Sequence, residues 1–289
     1  EPLRRAAKEL GPLRHMEPAE RELHVELDPL VRSGALVAVR HDGWLTSPED
    51  FVKGTGPKPP WRMDRFYRQV RRRTGILMED DGSFEGGKVS FDGENRLPWP
   101  GDPPAPRVPR FRHDELEAEV AALVEPRYGH PPGTLEPGAV PTRAAHAKKV
   151  WKWAKDHCME LFGPYEDAMA REEANLFHTR ISPLLHLHRL LARDVVEDVA
   201  TSDAPIASRE GFVRQILGWR EFVRHVHRAT DGFRDLPKGA KKERKPSGDA
   251  GWEAWQGESW EGAADVGAAP SARGSKESLP PAYWGETSG

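Results

Sequence analysis

Helical periodicity dominates the hydrophobic pattern in the second half of this chain. Residues 144–228 repeat apolar positions at the three- and four-residue spacing of amphipathic helices, so we predict an all-helical block there. Its first helix should end at "FGPY", because Gly163–Pro164 cannot continue a helix. The apolar face of this helix includes Cys158, which we expect to be a buried, inert thiol. The residues predicted to form that face are Val150, Trp151, Ala154, Cys158, Leu161 and Phe162.

The first 50 residues have the pattern of a unit that mixes helix and strand. The segment "ERELHVELDPLVRSG" is typical of a helix, and "ALVAVR", residues 35–40, is typical of a short buried strand after a glycine turn. A further helix should begin at "SPEDF", with Ser47 as its N-cap and Asp50 three residues later. These elements predict the last part of an α/β unit.

A basic amphipathic helix is predicted over residues 62–74. Its apolar side carries Met63, Phe66, Tyr67 and Val70. The segment from Arg62 to Arg73 holds six arginines and one aspartate, a local charge of +5. Such a run is either a solvated surface or a surface that follows nucleic-acid phosphates, and both interpretations stay open here. The arginines on the polar side are Arg65, Arg68 and Arg72.

Two segments lack the pattern of packed structure. Residues 79–143 are rich in Gly, Pro and Asp, and only the short helix "HDELEAEVAALVE" is predicted within them. Residues 237–278 are poor in aliphatic side chains and rich in small and charged ones, so we predict a disordered insertion. The predicted organisation is therefore 1–60, 61–143, 144–236 and a low-complexity tail over 237–289.

The segment "EGFVRQILGWREFVRHVH", Glu210 to His227, has an unusual combination of residues for a soluble helix. Helical spacing places a glycine and several charged residues beside an apolar face that should be buried. Gly218 costs about 1 kcal/mol relative to alanine inside a helix, so its missing side chain should serve a purpose. Either this is a core helix with a solvated arginine side, or it forms the wall of a ligand pocket. The predicted apolar face is Phe212, Ile216, Trp219, Val223 and Val226, and the opposite one is Arg214, Gly218, Glu221 and His225.

Composition and charge add limits on function. The net charge is −3, so bulk charge does not indicate a polyanionic partner. A single cysteine excludes an internal disulfide and a metal centre built from cysteines of this chain. We expect no membrane span and a cytoplasmic location, and no protein partner is predicted. The chain begins at Glu1 rather than Met, and we expect it to be part of a longer protein.

The segment "HTRISP" brings two hydroxyl groups to a predicted helix start. Thr179 and Ser182 precede or begin a helix that Pro183 can open, and Arg180 lies between them. Helix N-termini expose unpaired N–H groups that attract anions, so this segment suits a diphosphate. An ordinary serine N-cap is the alternative interpretation.

Three of these motifs, "FGPYEDAM", "HTRISPLLHL" and "EGFVRQILGWREFVR", resemble in order and spacing the flavin-binding domain of the photolyase/cryptochrome superfamily. The upstream segment "MDRFYRQVRRRTGILMEDDGSFEGGKVSFDGENRLPWP" is similar to the prokaryotic photolyase-related branch, the iron–sulfur bacterial (6-4) photolyases and cryptochromes. The resemblance covers about residues 35 to 236. It implies a mainly α fold: the remnant of an N-terminal α/β, Rossmann-like antenna domain over 1–60, a connector over 61–143 and part of a helical FAD-binding domain over 144–236.

The resemblance also implies a binding site for FAD. Relatives use the segment like "HTRIS" for the phosphates and ribityl chain, and the "RQILGWRE" helix for the flavin and lesion pocket. Gly218 and Trp219 would then shape the cavity wall. The residues implied are Tyr165, His178, Thr179, Arg180, Ile181, Ser182, Gln215, Trp219 and Arg220.

The implied activity is light-driven DNA repair by a DNA photolyase, a carbon–carbon lyase. Reduced FAD would transfer an electron to a pyrimidine photoproduct flipped out of damaged DNA. A cryptochrome-like blue-light photoreceptor and a non-catalytic nucleic-acid-binding remnant remain alternatives, and Arg65, Arg68 and Arg72 are the candidate DNA contacts.

The chain departs from the family pattern in several places. The family reads Asn-Leu-Gly where this chain has His186, Leu187 and His188, and we expect these histidines, like His225 and His227, to be surface or half-buried residues rather than metal ligands. Val89 replaces a family tryptophan. The family also implies a four-iron four-sulfur cluster and a ribityllumazine antenna, whose sites are largely missing from this chain. We therefore expect this chain alone to be inactive.

Overall fold

The computed structural model describes residues 2–128, 135–235 and 237, and most of these residues are helical. The predicted mainly α fold is confirmed. Among the described residues, none of the helices combines the length and the apolar character needed to cross a membrane. The helices are α1 Pro2–Leu10, α2 Arg21–Arg32, α3 Pro48–Thr55, α4 Met63–Thr74, α5 Glu115–Tyr128, α6 Ala144–His157, α7 Met159–Phe162, α8 Ser182–His186, α9 Ala192–Ala200, α10 Ile206–Val213 and α11 Glu221–Ala229, with short 3-10 turns at Glu85–Gly87 and Asp92–Glu94 and a π-helix at Arg214–Arg220.

A two-stranded parallel sheet lies near the start of the chain. Strand β1, Leu13–Met16, pairs with β2, Leu36–Val39, and α2 connects them. A parallel pair needs a crossover connection, which α2 provides. A strand within residues 35–40 and the helix before it are confirmed, but the prediction of a buried strand was wrong, because only Leu36 is buried while Val37 and Ala38 are exposed. Strand β1 was not predicted, because "LRHM" has no run of β-branched residues.

Helix α3 begins where its capping residues predict. The Ser47 side chain accepts a hydrogen bond from the Asp50 N–H, and the Asp50 carboxylate accepts one from the Ser47 N–H. Helix α3 packs closely on α4, since a Cβ on Gly54 would lie 2.9 Å from the Phe66 Cα. This pair of helices supports the loop that precedes α3, which is important for the site described below.

Helix α4 buries one of its arginines. Phe66, Tyr67 and Val70 are buried as predicted, but Arg71 is also fully buried. Its guanidinium donates to the carbonyl oxygens of three loop residues, at 3.2 Å for Ile76 and 2.8 Å for Val89, and also to Leu77. Arg71, which was predicted on neither face, is therefore not part of a solvated or phosphate-binding surface, because backbone carbonyls satisfy its buried guanidinium. The side chains of Arg65, Arg68 and Arg72 are exposed, as predicted.

The hydrophobic core joins α4 to the helical block over residues 144–229. Five of the six residues predicted to form the apolar face of α6 and α7 are buried, and Leu161 is partly buried against them. Burial raises the pKa of the Cys158 thiol to about 12, in keeping with an inert side chain. Helix α7 ends at Phe162, directly before Gly163–Pro164, as predicted, but the single helix predicted up to this point is interrupted at Cys158, which ends α6 and precedes α7.

The described residues divide into two compact units. One contains residues 2–111, 138–235 and 237, and the other contains residues 112–128 and 135–137, which include α5. The predicted disordered insertion at 237–278 and the last residues of the chain lie outside the described residues, apart from Pro237.

Candidate functional site

A cavity of about 890 Å³ lies within the first unit. This volume is within the range of about 300–1,000 Å³ that is typical of small-molecule and cofactor sites. Its wall comes from the segment before α2, the loop between β2 and α3, the end of α7, the segment from 178 to 188 and the helical segment after Ile206. The lining residues are Ala19, Glu20, His41, Trp44, Phe162, His178, Thr179, Arg180, Ile181, Ser182, Leu185, His186, His188, Phe212, Gln215, Ile216, Trp219, Arg220, Val223, Arg224, His227 and Phe233.

Eight of the nine predicted cofactor residues line this one cavity. The ninth, Tyr165, lies outside the lining, and its ring stacks on Phe177 with centroids 5.5 Å apart. A role for Tyr165 at a cofactor therefore stays a prediction. The residues brought together are His178, Thr179, Arg180, Ile181, Ser182, Gln215, Trp219 and Arg220.

The segment from 178 to 182 reaches the cavity through a tightly turned backbone. Arg180 has a left-handed φ of +57°, and its side chain hydrogen-bonds to Asn175. Thr179 and Ile181 are buried, while Ser182 is exposed at the start of α8, where Pro183 occupies the first turn as predicted. This alternation presents hydroxyl and guanidinium groups beside apolar surface.

The helical segment from 206 to 229 contains a π-helix that rearranges its faces. Phe212 and Ile216 are buried, but Trp219 is 44% exposed and Val223 is 45% exposed at the cavity. The prediction that the whole apolar face is buried was therefore wrong. A π-helical segment has a wider turn than an α-helix, so faces assigned at the α-helical period shift across it.

In the helical segment 206–229, the face predicted to lie opposite the core is itself buried in the protein. Arg214, Glu221 and His225 are all buried, so a solvated polar side was the wrong interpretation. Gly218 does not line the cavity; a Cβ there would lie 3.2 Å from the Met63 Sδ and 3.4 Å from the Tyr67 Cδ2. The missing side chain thus admits helix α4 and not a ligand, which corrects the proposed role of Gly218 in the cavity wall.

Two ion networks compensate the buried charges of this helix. Arg214 lies 2.9 Å from Asp92, 3.1 Å from Glu166 and 3.4 Å from Glu210. Glu210 lies one turn earlier on the same helical segment, whereas Asp92 and Glu166 come from two other segments, so Arg214 ties the cavity helix to its surroundings. Burial, the largest influence, raises the pKa of Glu210 above its usual value.

The second network surrounds Glu221, which is fully buried. Its carboxylate accepts hydrogen bonds from the Thr46 N–H at 3.0 Å and the Thr46 hydroxyl at 2.6 Å. It also lies 3.2 Å from Arg220 and 3.5 Å from Arg224. Burial lowers the pKa of both arginines, and Glu221 partly offsets that effect. One carboxylate is thus shared by two guanidinium groups whose side chains are largely buried.

A tryptophan that was not predicted as a site residue lines the cavity together with these arginines. The guanidinium of Arg220 lies 3.8 Å from the Trp44 ring centroid and that of Arg224 lies 4.6 Å from it. Trp44 belongs to the loop between β2 and α3, "HDGWLT", which has no periodicity. An isolated aromatic in a glycine-containing loop beside a capping box is the only signal that could have drawn attention to it.

His225 gives a stability prediction that depends on pH. The prediction of a surface or half-buried His225 was wrong, because it is 3% exposed and its Nε2 lies 2.8 Å from the Thr46 hydroxyl. Burial, followed by Arg224 and Arg228, lowers the pKa of His225 to about 3. The unfolded chain binds the proton near pH 6.5 and the folded chain does not, so this contribution to stability is present above pH 6.5 and is lost as pH falls.

We therefore expect the free energy of unfolding to fall by about 1 kcal/mol between pH 6.5 and 5.5 because of His225. Urea unfolding of the wild type and of His225→Gln at both pH values measures this term as the difference between their pH slopes. Equal slopes for the two proteins would contradict the assignment.

The charge of the cavity wall is strongly asymmetric. Among the described residues that line it, three arginines and five histidines face a single carboxylate, Glu20. The Nε atoms of Arg220 and Arg224 and the Nε2 of His178 are buried and have no hydrogen-bond partner. Within the described ranges, no three His, Cys, Asp or Glu side chains come together as a metal site. The wall is suited to an anionic ligand with an apolar or aromatic portion.

This chain is similar to a known protein family and to a curated protein. Residues 2–139 match the family described as deoxyribodipyrimidine photo-lyase-related protein. A "(6-4) photolyase" from Agrobacterium fabrum is 32% identical over 233 residues, which is 78% of this chain and 46% of that protein. The chain thus spans about half the length of the curated relative it matches.

Proposed function

We propose that this cavity forms part of the FAD site of a light-driven DNA repair protein, because the chain is a relative of the photolyase-related proteins. The observation that carries the proposal is that eight residues chosen from two sequence motifs, "HTRIS" and "RQILGWRE", line one cavity of cofactor size. The relative bears the name (6-4) photolyase, which supports DNA as the substrate class.

The chemical groups of the wall suit FAD. Unpaired buried donors on Arg220 and His178 suit the diphosphate, and the hydroxyls of Thr179 and Ser182 suit phosphate or ribityl oxygens. The half-exposed indole of Trp219 offers an aromatic surface for a ring system. When bound, FAD would supply light-driven electron transfer to a photoproduct.

The protein's own part in this function is to orient and to exclude water. Phe212, Ile216 and Leu185 give the cavity an apolar wall that is buried from solvent. Glu221 holds Arg220 in place from behind, and Trp44 covers its guanidinium face. These contacts fix a charged donor before any ligand arrives, which lowers the cost of binding.

We also propose that the parallel strand pair is the remnant of a Rossmann-like antenna domain. The β1–α2–β2 order and the parallel register support this, since such pairs occur mainly in larger sheets covered by helices. The exposed arginines of α4 are the proposed contacts to DNA phosphates: Arg65, Arg68 and Arg72.

A matched pair of substitutions tests both assignments. Arg220→Ala should weaken FAD binding about tenfold or more, because it removes a charge-assisted donor from the cavity. Arg65→Ala, an exposed arginine outside the cavity lining, should leave FAD affinity unchanged and reduce the salt dependence of DNA binding. Flavin fluorescence titration and DNA binding at several salt concentrations measure the two effects. An unchanged FAD affinity in Arg220→Ala would contradict the site assignment.

Illumination separates the candidate functions. The chain, reconstituted with FAD and a reductant, is exposed to blue light with an oligonucleotide carrying a (6-4) photoproduct, and repaired strands are counted against a dark control. Light-dependent repair supports the photolyase. Flavin binding without repair favours a photoreceptor or a need for further chain, and salt-sensitive DNA binding without flavin favours the nucleic-acid-binding remnant.

A further inference from the structure

His188 occupies a position that normally belongs to glycine. It has a left-handed φ of +50° directly after α8. Its N–H donates to the Leu185 carbonyl at 3.2 Å, and the next N–H, of Arg189, donates to the Leu184 carbonyl at 2.8 Å. These two bonds define a Schellman ending, in which glycine is strongly favoured because it lacks a Cβ. A histidine retained there at a conformational cost suggests that its imidazole has a use.

The rest of the loop structure makes room for this imidazole. The His188 ring packs on His41 with centroids 4.5 Å apart. A Cβ on Gly43 would lie 2.5 Å from the His188 Cε1, so the absence of a side chain at Gly43 admits the ring. The Gly43 carbonyl accepts a hydrogen bond from Arg220 at 3.0 Å. One glycine therefore brings the two histidines and a guanidinium into the same part of the cavity wall.

The hydrogen bonding of His41 leaves a donor available. The Gly43 N–H donates to the His41 Nδ1 at 3.0 Å, so that nitrogen is an acceptor and a neutral His41 carries its proton on Nε2. Arg220, 15% exposed, shares the Glu221 carboxylate with Arg224 and has an unpartnered Nε. The positive charges of Arg220 and Arg224 therefore exceed the single negative charge of Glu221. The two available donors, on His41 and Arg220, come from two separate segments of the chain.

We propose that His41, His188 and Arg220 form a phosphate-binding subsite within the cavity, and that the His188 imidazole strengthens the contact when it is protonated. The subsite deepens the proposed function, because it lies in the same cavity, but its binding of phosphate does not depend on a flavin. The phosphate belongs either to a dinucleotide cofactor or to a nucleic-acid strand, and both present the same chemistry.

The direction of the pH dependence follows from the groups that face His188. Burial is the largest cause that lowers the pKa of His188, and His41, Arg220 and His186 lower it further, while Glu20 raises it. A bound phosphate adds negative charge and favours the protonated ring. Phosphate affinity should therefore rise as pH falls from 8 towards 6.

Inorganic pyrophosphate is the probe, and calorimetric titration of the 289-residue chain is the measurement. His188→Gly suits the left-handed backbone, so its melting temperature should not fall, while pyrophosphate affinity should drop about fivefold to tenfold at pH 6. Gly43→Ala removes no donor but displaces the His188 ring, and should show a similar loss. The control is His157→Gln, an exposed histidine outside the cavity lining, whose affinity should match the wild type.

Two further arms identify the source of the phosphate. Displacement of pyrophosphate by FAD but not by a short single-stranded oligonucleotide assigns the subsite to the cofactor, and the reverse assigns it to nucleic acid. If pyrophosphate binds while FAD does not, the subsite stands and the proposed FAD site fails. No pyrophosphate binding by the wild type, or equal affinity in His188→Gly at pH 6, overturns the subsite.

Discussion

Replacing Glu221 with alanine should lower the free energy of unfolding by about 3–5 kcal/mol. Glu221 is fully buried and is the carboxylate between the guanidinium groups of Arg220 and Arg224, whose side chains are 15% and 10% exposed. Its loss would leave both positive charges in a poorly solvated place and remove two hydrogen bonds from Thr46. The cost comes mainly from stranding these partners and not from the loss of attraction itself.

The matched control is Glu22→Ala. Glu22 also pairs with an arginine, at 2.8 Å to Arg234, but these side chains are 70% and 56% exposed, so its loss should change the free energy of unfolding little. Glu221→Gln keeps the volume of the side chain and should fall between the two. Urea unfolding of the three variants ranks their losses of unfolding free energy. Similar losses for Glu221→Ala and Glu22→Ala would contradict the claim that the Glu221 network stabilises the fold.

Filling the cavity should remove cofactor binding without unfolding the protein. Val223 is 45% exposed at the cavity wall, so Val223→Trp adds a bulky ring to the space that the ligand needs. We expect FAD affinity to fall about 100-fold or more, since the introduced indole would overlap with the ligand and the packed cavity wall cannot move to accommodate both. Because Val223 is not in the core, the melting temperature should change little.

Val52→Trp is the control for that substitution. Val52 is also on a helix, is 46% exposed and does not line the cavity. It should bind FAD as the wild type does. Flavin titration and thermal unfolding of the two variants separate a blocked site from a general effect of an exposed tryptophan. Equal affinity in both variants would show that FAD, if bound, lies elsewhere.

Much of the fold could be predicted from the sequence because local signals agreed with packing. The Ser47 capping box, the end of α7 at Gly163–Pro164 and the apolar face of α6 all follow from short-range chemistry. The family resemblance was also confirmed, by the matched family and by the relative from Agrobacterium fabrum.

The parts that could not be predicted depend on partners far away in the chain. Glu221 and His225 are buried because Thr46, some 175 residues earlier, supplies the hydrogen bonds that they need. The π-helix before Glu221 changes which residues share a face of the helix, and no local sequence pattern predicts it. Trp44 reaches the cavity from an aperiodic loop, so only the tertiary structure associates it with Arg220.

An equilibrium titration of the purified 289-residue chain with FAD, followed by flavin absorbance after removal of free ligand, tests the central claim most directly. Our account predicts one FAD retained per chain, with riboflavin, which lacks the diphosphate and the adenosine, bound more weakly. A protein that is folded by circular dichroism yet retains no flavin at saturating FAD would contradict the assignment of this cavity as a flavin site.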